Sequence, residues 1–316
     1  MNARLVPVFF KSGMNEDFSK QLERLRGLLA GEADILSPVP LGSRLPEADA
    51  VVFPQLLGDA FKQIDQLKKI RMPFIVLTSE FGTVNMWDWE IVSFLHSEGL
   101  KALAPYTPEL TRKTCRALAA KREMKQTKLL VFQDNPGEGM QAEIFKRFYW
   151  WEDRCTRLIK NRFGITILKK SFKKLAEEAK GVPDQEAEKA LASRDIPAEG
   201  VSRRALDAAA KIYIAVKRQI AGDPSIRGVG INCLNESFYS DTTPCLAWSM
   251  LFEDQGLLWA CEADTMSLVS KHIIYRSLGA PIIMSNIYPF LMGGAALKHE
   301  RIDRFPEVAD PENYLL

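Results

Sequence analysis

The sequence predicts an α/β protein made of two doubly wound, Rossmann-like parallel-sheet domains in αβα layers. Three observations carry that prediction. Short apolar runs alternate with helix-period segments along the chain, which is the pattern of a parallel sheet covered by helices on both faces. A fresh strand, KLLVFQ, starts a second series of alternations near Lys128. The length of 316 residues suits two cores, since domains usually run to about 100–200 residues. The expected division is 1–126 for an N-terminal α/β domain and 127–316 for a second one.

In the first domain, 5–10 reads as a strand, 17–29 as a helix, 34–36 as a weak strand and 50–53 as a buried strand. A helix over 61–70, a strand over 73–77, a helix over 88–96 closing near Gly99, a strand over 100–104 and a basic helix from 108 to about 125 follow. The second domain starts with the KLLVFQ strand and the loop DNPGEGM, whose Gly137 and Gly139 match no phosphate-loop spacing and read as a turn. One helix over 141–162, a strand over 165–168, and helices over 171–180, 184–192 and 202–220 come next, with Ser202 as N-cap. Strands over 228–233, 257–261 and 281–285 alternate with helices over 243–252 and 266–278.

Composition excludes several function classes. The 47% hydrophobic and 26% charged content is that of an ordinary globular chain, and 42 basic against 40 acidic residues give a formal charge of only +2. That balance argues against a nucleic-acid or membrane-surface partner. The apolar run at 5–10 is interrupted by Lys11 with no cleavage-like site after it, so it reads as a strand and not a signal peptide, which predicts a cytoplasmic protein. The apolar stretch 279–297 is broken by Pro281, Ser285, Asn286 and Pro289 and makes a poor membrane span. The five cysteines lack CxxC spacing and read as buried thiols. No GxGxxG follows the first strand, so a dinucleotide site has little support. The basic residues between Arg154 and Lys174 read as solvated faces because Glu152 and Asp153 dilute them, and Trp87, Trp89, Trp150 and Trp151 read as core or interface aromatics.

The stretch 228–264 is the candidate site. GVGINCLNE runs from a strand into Glu236, and LLWACEAD runs from the next strand into Glu262 and Asp264. Carboxylates past the ends of parallel strands sit at the rim where open α/β sheets place ligands, and there they can hold a divalent cation or move protons. Each has a plainer reading: Glu236 as a local cap or salt-bridge partner, Asp264 as the cap of the helix opening at Thr265.

The order G-x-N-C-L-N-E, P-C-L-A, E-D-Q-G, A-C-E-A-D, then a helix and L-G-A-P, resembles the core of the L-fucose isomerase and L-arabinose isomerase superfamily. The phrase PFIVLTSEFGTVN is similar to the first-domain edge of that family. The resemblance implies a ketol isomerase that moves a proton between C1 and C2 of an open-chain sugar through an enediol, with Mn2+ or another divalent cation polarising the two oxygens. It assigns Glu236 and Asp264 as the catalytic, metal-binding carboxylates and Glu262 as a neighbouring candidate ligand. It also implies a sugar or sugar-derivative substrate and a homo-oligomer with its site near a subunit interface. Those isomerases carry a C-terminal barrel with a metal-ligand histidine, for which a chain ending at Leu316 leaves no room. His299, in LKHE, is the candidate substitute, while His272 reads as a packed helix residue. The alternative is a non-catalytic sugar-binding or regulatory protein that keeps the two α/β domains without the barrel.

Overall fold

Strand residues that alternate between two faces, each face apolar, need helices on both sides, and the chain supplies them. The computed structural model describes residues 1–10, 14–54, 60–77, 86–134, 143–196, 198–233 and 240–284, with residues 86–89 described for their backbone alone. Its elements form two parallel sheets flanked by helices, as the β-α alternation predicts.

The first sheet uses β1 (Ala3–Phe9), β2 (Ala33–Ile35), β3 (Val39–Pro40), β4 (Ala50–Phe53), β5 (Phe74–Val76) and β6 (Ala102–Leu103). Its order is β2-β1-β4-β5-β6, with β3 also pairing β1, and every pairing is parallel. Val6, Val8, Val51, Phe53, Phe74 and Val76 pack on one face; Ala3, Leu5, Ala50, Val52 and Ile75 pack on the other. The helices of this half are α1 (Glu16–Leu28), α2 (Ile64–Leu67), α3 (Met86–Ser97) and α4 (Pro108–Met124). Side-chain caps start two of them: Asn15 accepts from the Phe18 N–H at 2.8 Å, and Thr107 accepts from the Leu110 N–H at 3.1 Å. The expected helix over 61–70 is shorter, a 3-10 turn at Ala60–Gln63 followed by the single turn of α2.

The second sheet uses β7 (Lys128–Phe132), β8 (Thr166–Lys170), β9 (Ile226–Ile231) and β10 (Leu258–Ala260), all parallel, in the order β10-β9-β7-β8. Its helices are α5 (Phe145–Phe148), α6 (Asp153–Phe163), α7 (Phe172–Lys180), α8 (Asp184–Ala192), α9 (Arg203–Ile220), α10 (Cys245–Gln255) and α11 (Thr265–Leu278). Leu130, Phe132, Val229 and Ile231 pack under α7, α9 and α10, while Leu129 and Ala260 face Ile159 of α6 and Leu268 and Val269 of α11.

Two further expected elements differ. The single helix over 141–162 is broken at Trp150, whose φ of 59° no right-handed helix accepts. The break lets Trp151 drop into the core at 2% exposure, where its indole N–H donates to the Ala263 carbonyl at 2.8 Å. The expected strand over 281–285 is absent over residues 281–284, the described part of it, where the backbone has no regular structure and Ile283 is exposed. These residues belong to a separate contact unit, Ala280–Leu316, whereas Met1–Gly279 form one unit that contains both sheets.

Helix α4 serves both sheets. Its Cys115 and Leu118 pack on the first, and its Met124 packs on the second. Arg122 pairs with Asp49 and donates to the Asn2 carbonyl at 2.6 Å, while Glu123 accepts from Arg276 of α11 at 2.7 Å. No helix among the described residues is long and apolar enough to cross a membrane.

His272 of α11 is 1% exposed, and neither ring nitrogen has a hydrogen-bond partner among the described residues. Burial holds its pKa below the ordinary histidine value; the nearby Glu123 carboxylate opposes that shift, and Arg276 and Arg227 reinforce it. The unfolded chain therefore takes up a proton near the ordinary value of about 6.5 while the folded chain does not, so stability declines as pH falls through that region. Urea unfolding from neutral to mildly acidic pH checks this: the wild-type midpoint should decline below about pH 6.5, and His272→Leu should flatten that part of the curve.

Candidate functional site at the carboxyl rim of the second sheet

Within the second sheet the strand order, taken in chain sequence, is 2-1-3-4, so the winding reverses between β7 and β9. Ligands of open α/β sheets bind in the crevice outside the carboxyl ends of the strands at such a reversal. The side chains just past those ends are Gln133 after β7 and Asn232 after β9. The first sheet reverses between β1 and β4, where Phe10 stacks on Phe53 with ring centroids 6.1 Å apart and offers hydrophobic surface.

Asn232 is held by its backbone, whose N–H donates to the Phe132 carbonyl at 3.0 Å and extends the β9–β7 ladder by one residue. Its side chain is 2% exposed, and both the amide nitrogen and the amide oxygen lack a partner among the described residues. The buried Oε1 of Gln133 is in the same condition, although the Gln133 N–H is secured to the Lys170 carbonyl at 2.9 Å. A buried polar atom without a partner costs about 1–3 kcal/mol, which makes these two side chains, past adjacent strand ends at the reversal point, the candidates for contact with a ligand.

Beside Asn232, the chain leaving β10 makes a tight turn through Cys261, Glu262 and Ala263, with Glu262 at φ 55° and Ala263 at φ 54°. Together with Trp150 these are the positive-φ non-glycine residues among the described ones, and all of them meet here. The Thr265 hydroxyl donates to the Tyr149 carbonyl at 2.9 Å and to the Trp150 carbonyl at 3.3 Å, and Trp151 donates to Ala263. Such residues persist only where their surroundings over-determine them, and they concentrate at functional sites. The turn also lies directly against β9. A Cβ added at Gly230 would come within 2.9 Å of the Ala263 Cα, so only glycine fits that position.

The turn brings Cys261 Sγ to 3.3 Å from Cys233 Sγ, and the Glu262 N–H donates to Cys233 Sγ at 3.1 Å. The hydrogen bond with Cys233, the Glu262 N–H and the Lys271 charge lower the Cys261 pKa to about 7 against the opposing effects of burial and the Asp264 charge. Lys271 is itself buried, donates to the Trp259 carbonyl at 2.6 Å and lies 3.6 Å from the Trp259 ring centroid. Burial lowers its pKa to about 8. Glu262 is shifted the other way, its carboxyl raised by burial and by the Asp264 charge. Three neighbouring groups displaced from their ordinary ionisation are a physical signature of a site.

The carboxylates expected to carry chemistry are placed differently. Glu236 and His299 lie outside the described residues. Asp264 is the N-cap of α11: Oδ1 accepts from the Met266 and Ser267 N–H groups at 2.9 and 3.1 Å, and Oδ2 accepts from the Ser267 hydroxyl at 2.6 Å. Those bonds commit it to the helix. Among the described residues no group of three or more His, Cys, Asp and Glu could hold a metal ion, so Glu262 and Asp264 do not by themselves make up the donor set that Mn2+ would need.

The thiol reading also changes: Cys115 is buried, but Cys233 and Cys261 are half-buried and Cys245 is exposed. The sequence signal for the pair is that each cysteine closes an expected strand, Cys233 the one over 228–233 and Cys261 the one over 257–261. Elsewhere, a groove of about 420 Å³ bordered by α7, α8 and α9 carries charges that are already paired, Lys211 with Asp184 at 2.6 Å and Arg204 with Asp241 at 2.7 Å.

No protein-family model matches the sequence, and no curated protein does. A crystal structure of a LacI family transcription regulator from Clostridium acetobutylicum matches at 14% identity over 90% of this chain and 100% of that one, with a TM-score of 0.21. At that score the likeness carries no argument about function. The resemblance to the L-fucose and L-arabinose isomerases is therefore corrected: neither a family model nor a curated protein of that superfamily matches, and Asp264, one of its two assigned catalytic carboxylates, is spent on capping α11.

Because Asp264 acts through its cap, Asp264→Ala should destabilise the chain by about 0.5–2 kcal/mol, and Asp264→Asn, also a good cap, should restore most of the loss. Thermal or urea unfolding of the three proteins measures this; equal loss in both variants would show that the carboxylate charge matters beyond the cap.

Proposed function

We propose that the chain is a ligand-binding protein that takes a small polyhydroxylated molecule of the sugar class at the carboxyl rim of the second sheet, between the ends of β7 and β9. One observation carries the reading: the buried Asn232 side chain, whose donor and acceptor both lack partners among the described residues. A primary amide presents a donor and an acceptor side by side, which complements two vicinal hydroxyls, and the Gln133 Oε1 supplies a further unpaired acceptor past the neighbouring strand. Neutral hydroxyls suit a primary amide better than a phosphate or carboxylate would, because a hydroxyl both donates and accepts, whereas an anion uses only the amide donor.

A binding role also fits how the rim is built. Asp264 and Thr265 secure the start of α11, and Trp151 secures the turn after β10, so the β10 side of the Asn232 neighbourhood is held in place by the protein's own bonds.

Calorimetry over a panel of aldopentoses, aldohexoses and alditols, with and without chelator, tests the reading. Saturable binding that the chelator leaves unchanged is expected, and Asn232→Ala should weaken it by about tenfold or more. Removing an unpaired buried amide should leave the melting temperature at or above the wild-type value. A panel without a binder, or an Asn232→Ala chain that binds as the wild type does, contradicts the proposal.

A further inference from the structure

The second chemistry on this rim belongs to sulfur. Cys233 follows β9 and Cys261 follows β10, two strands paired in register from Leu258 opposite Gly228 to Ala260 opposite Gly230. Their sulfurs are 3.3 Å apart, so closure to a disulfide of about 2.0 Å requires a movement of little more than about 1 Å. The Glu262 N–H at 3.1 Å from Cys233 Sγ and the buried Lys271 near Cys261 both favour negative charge on the pair. The remaining described cysteines lack these features: Cys115 is fully buried, and its thiol is pushed up to about 12 by burial and the Glu32 charge, while Cys155 lies on α6 and Cys245 opens α10.

We propose that Cys261 and Cys233 form a thiol–disulfide exchange site whose co-reactant is a low-molecular-weight disulfide such as glutathione disulfide. The Cys261 thiolate attacks one sulfur of the co-reactant; a Cys261–glutathione bond forms, the original S–S bond breaks, and one glutathione thiolate leaves and takes a proton from water. Cys233 then gives its proton to solvent and attacks Cys261 Sγ, releasing the second glutathione. Two protein thiols lose two electrons, and one disulfide becomes two thiols. Cys261 is assigned as the attacking sulfur because the Lys271 charge acts on it, and Cys233 resolves because its sulfur already lies 3.3 Å away.

The product would tie the carboxyl end of β9 to the turn after β10 one residue away from Asn232. The exchange chemistry is independent of the ligand reading, since it is read out in the absence of sugar.

Intact mass and peptide mapping of the full chain, reduced and then incubated with glutathione disulfide at neutral pH before alkylation, provide the test. The expected result is loss of two hydrogens with a single linked peptide pair, Cys233 to Cys261, formed ahead of any modification of Cys115, Cys155 or Cys245 and reversed by dithiothreitol. Cys233→Ser should stop at one glutathione on Cys261, and Cys261→Ser should form no link. Absence of the Cys233–Cys261 link in the wild-type chain at excess oxidant overturns the proposal, as does a Cys233→Ser chain that takes glutathione on Cys155 or Cys245 in preference to Cys261. Sugar binding measured on the same preparation stands apart: a link without a bound sugar removes the ligand reading only, and a bound sugar without a link removes the exchange site only.

Discussion

The second sheet is organised by the contact between the turn at Cys261–Ala263 and the middle of β9. Ala263 lies so close to Gly230 that no side chain fits between them, and the Trp151 indole reaches across the chain to hold the Ala263 carbonyl. That wedge explains features that look unrelated in the sequence. The helix expected through Trp150 must break to deliver Trp151, Glu262 and Ala263 must adopt left-handed backbone to pass over β9, and Thr265 must begin a helix with Asp264 as its cap. Each positive-φ residue of this kind costs about 1–3 kcal/mol, a local expense that packing against Val131 and Trp151 offsets.

The consequence of the wedge is a turn after β10 held firmly beside Gln133 and Asn232. Backbone bonds hold Gln133 and Asn232 in place, while their side-chain polar atoms have no partners among the described residues. Next to them sit two thiols in contact, a carboxyl raised by burial and a lysine lowered by it. Stability alone would favour apolar residues at these positions, because an unpaired buried amide and a desolvated lysine both oppose folding. The place of the amide at the winding reversal of the sheet, where open α/β sheets receive ligands, is what favours the binding reading proposed above.

Much of this was legible in the sequence, and the reason is periodicity. Strands at β1, β4, β5, β7, β9 and β10 and the helices α9 and α11 announce themselves by apolar spacing and by caps such as Ser202 and Asp264, all of which are local. The candidate site is placed at the expected strand ends, 233 and 261, on the same kind of local signal. What the sequence could not show depends on separation: Trp151 breaks its helix because of a carbonyl 112 residues away, and Cys233 meets Cys261 only once β9 and β10 pair in register. The carboxylates drew attention because acids after strands are conspicuous, whereas the Asn232 amide has no sequence signature. Its importance arises from burial, which only the fold creates. The family resemblance rested on short phrases whose residues have structural uses of their own, Asp264 as a cap and Gly230 as a space-maker.

The central claim is that the ligand site lies at the winding reversal of the second sheet and not on its outer helices. Amide hydrogen exchange by mass spectrometry, run with and without a saturating mixture of aldopentoses and aldohexoses, tests it most directly. Protection confined to peptides covering 132–134, 231–233 and 261–265 is the predicted result. Protection centred on the groove between α7 and α9, or a sugar that binds without altering exchange at the rim, would contradict it.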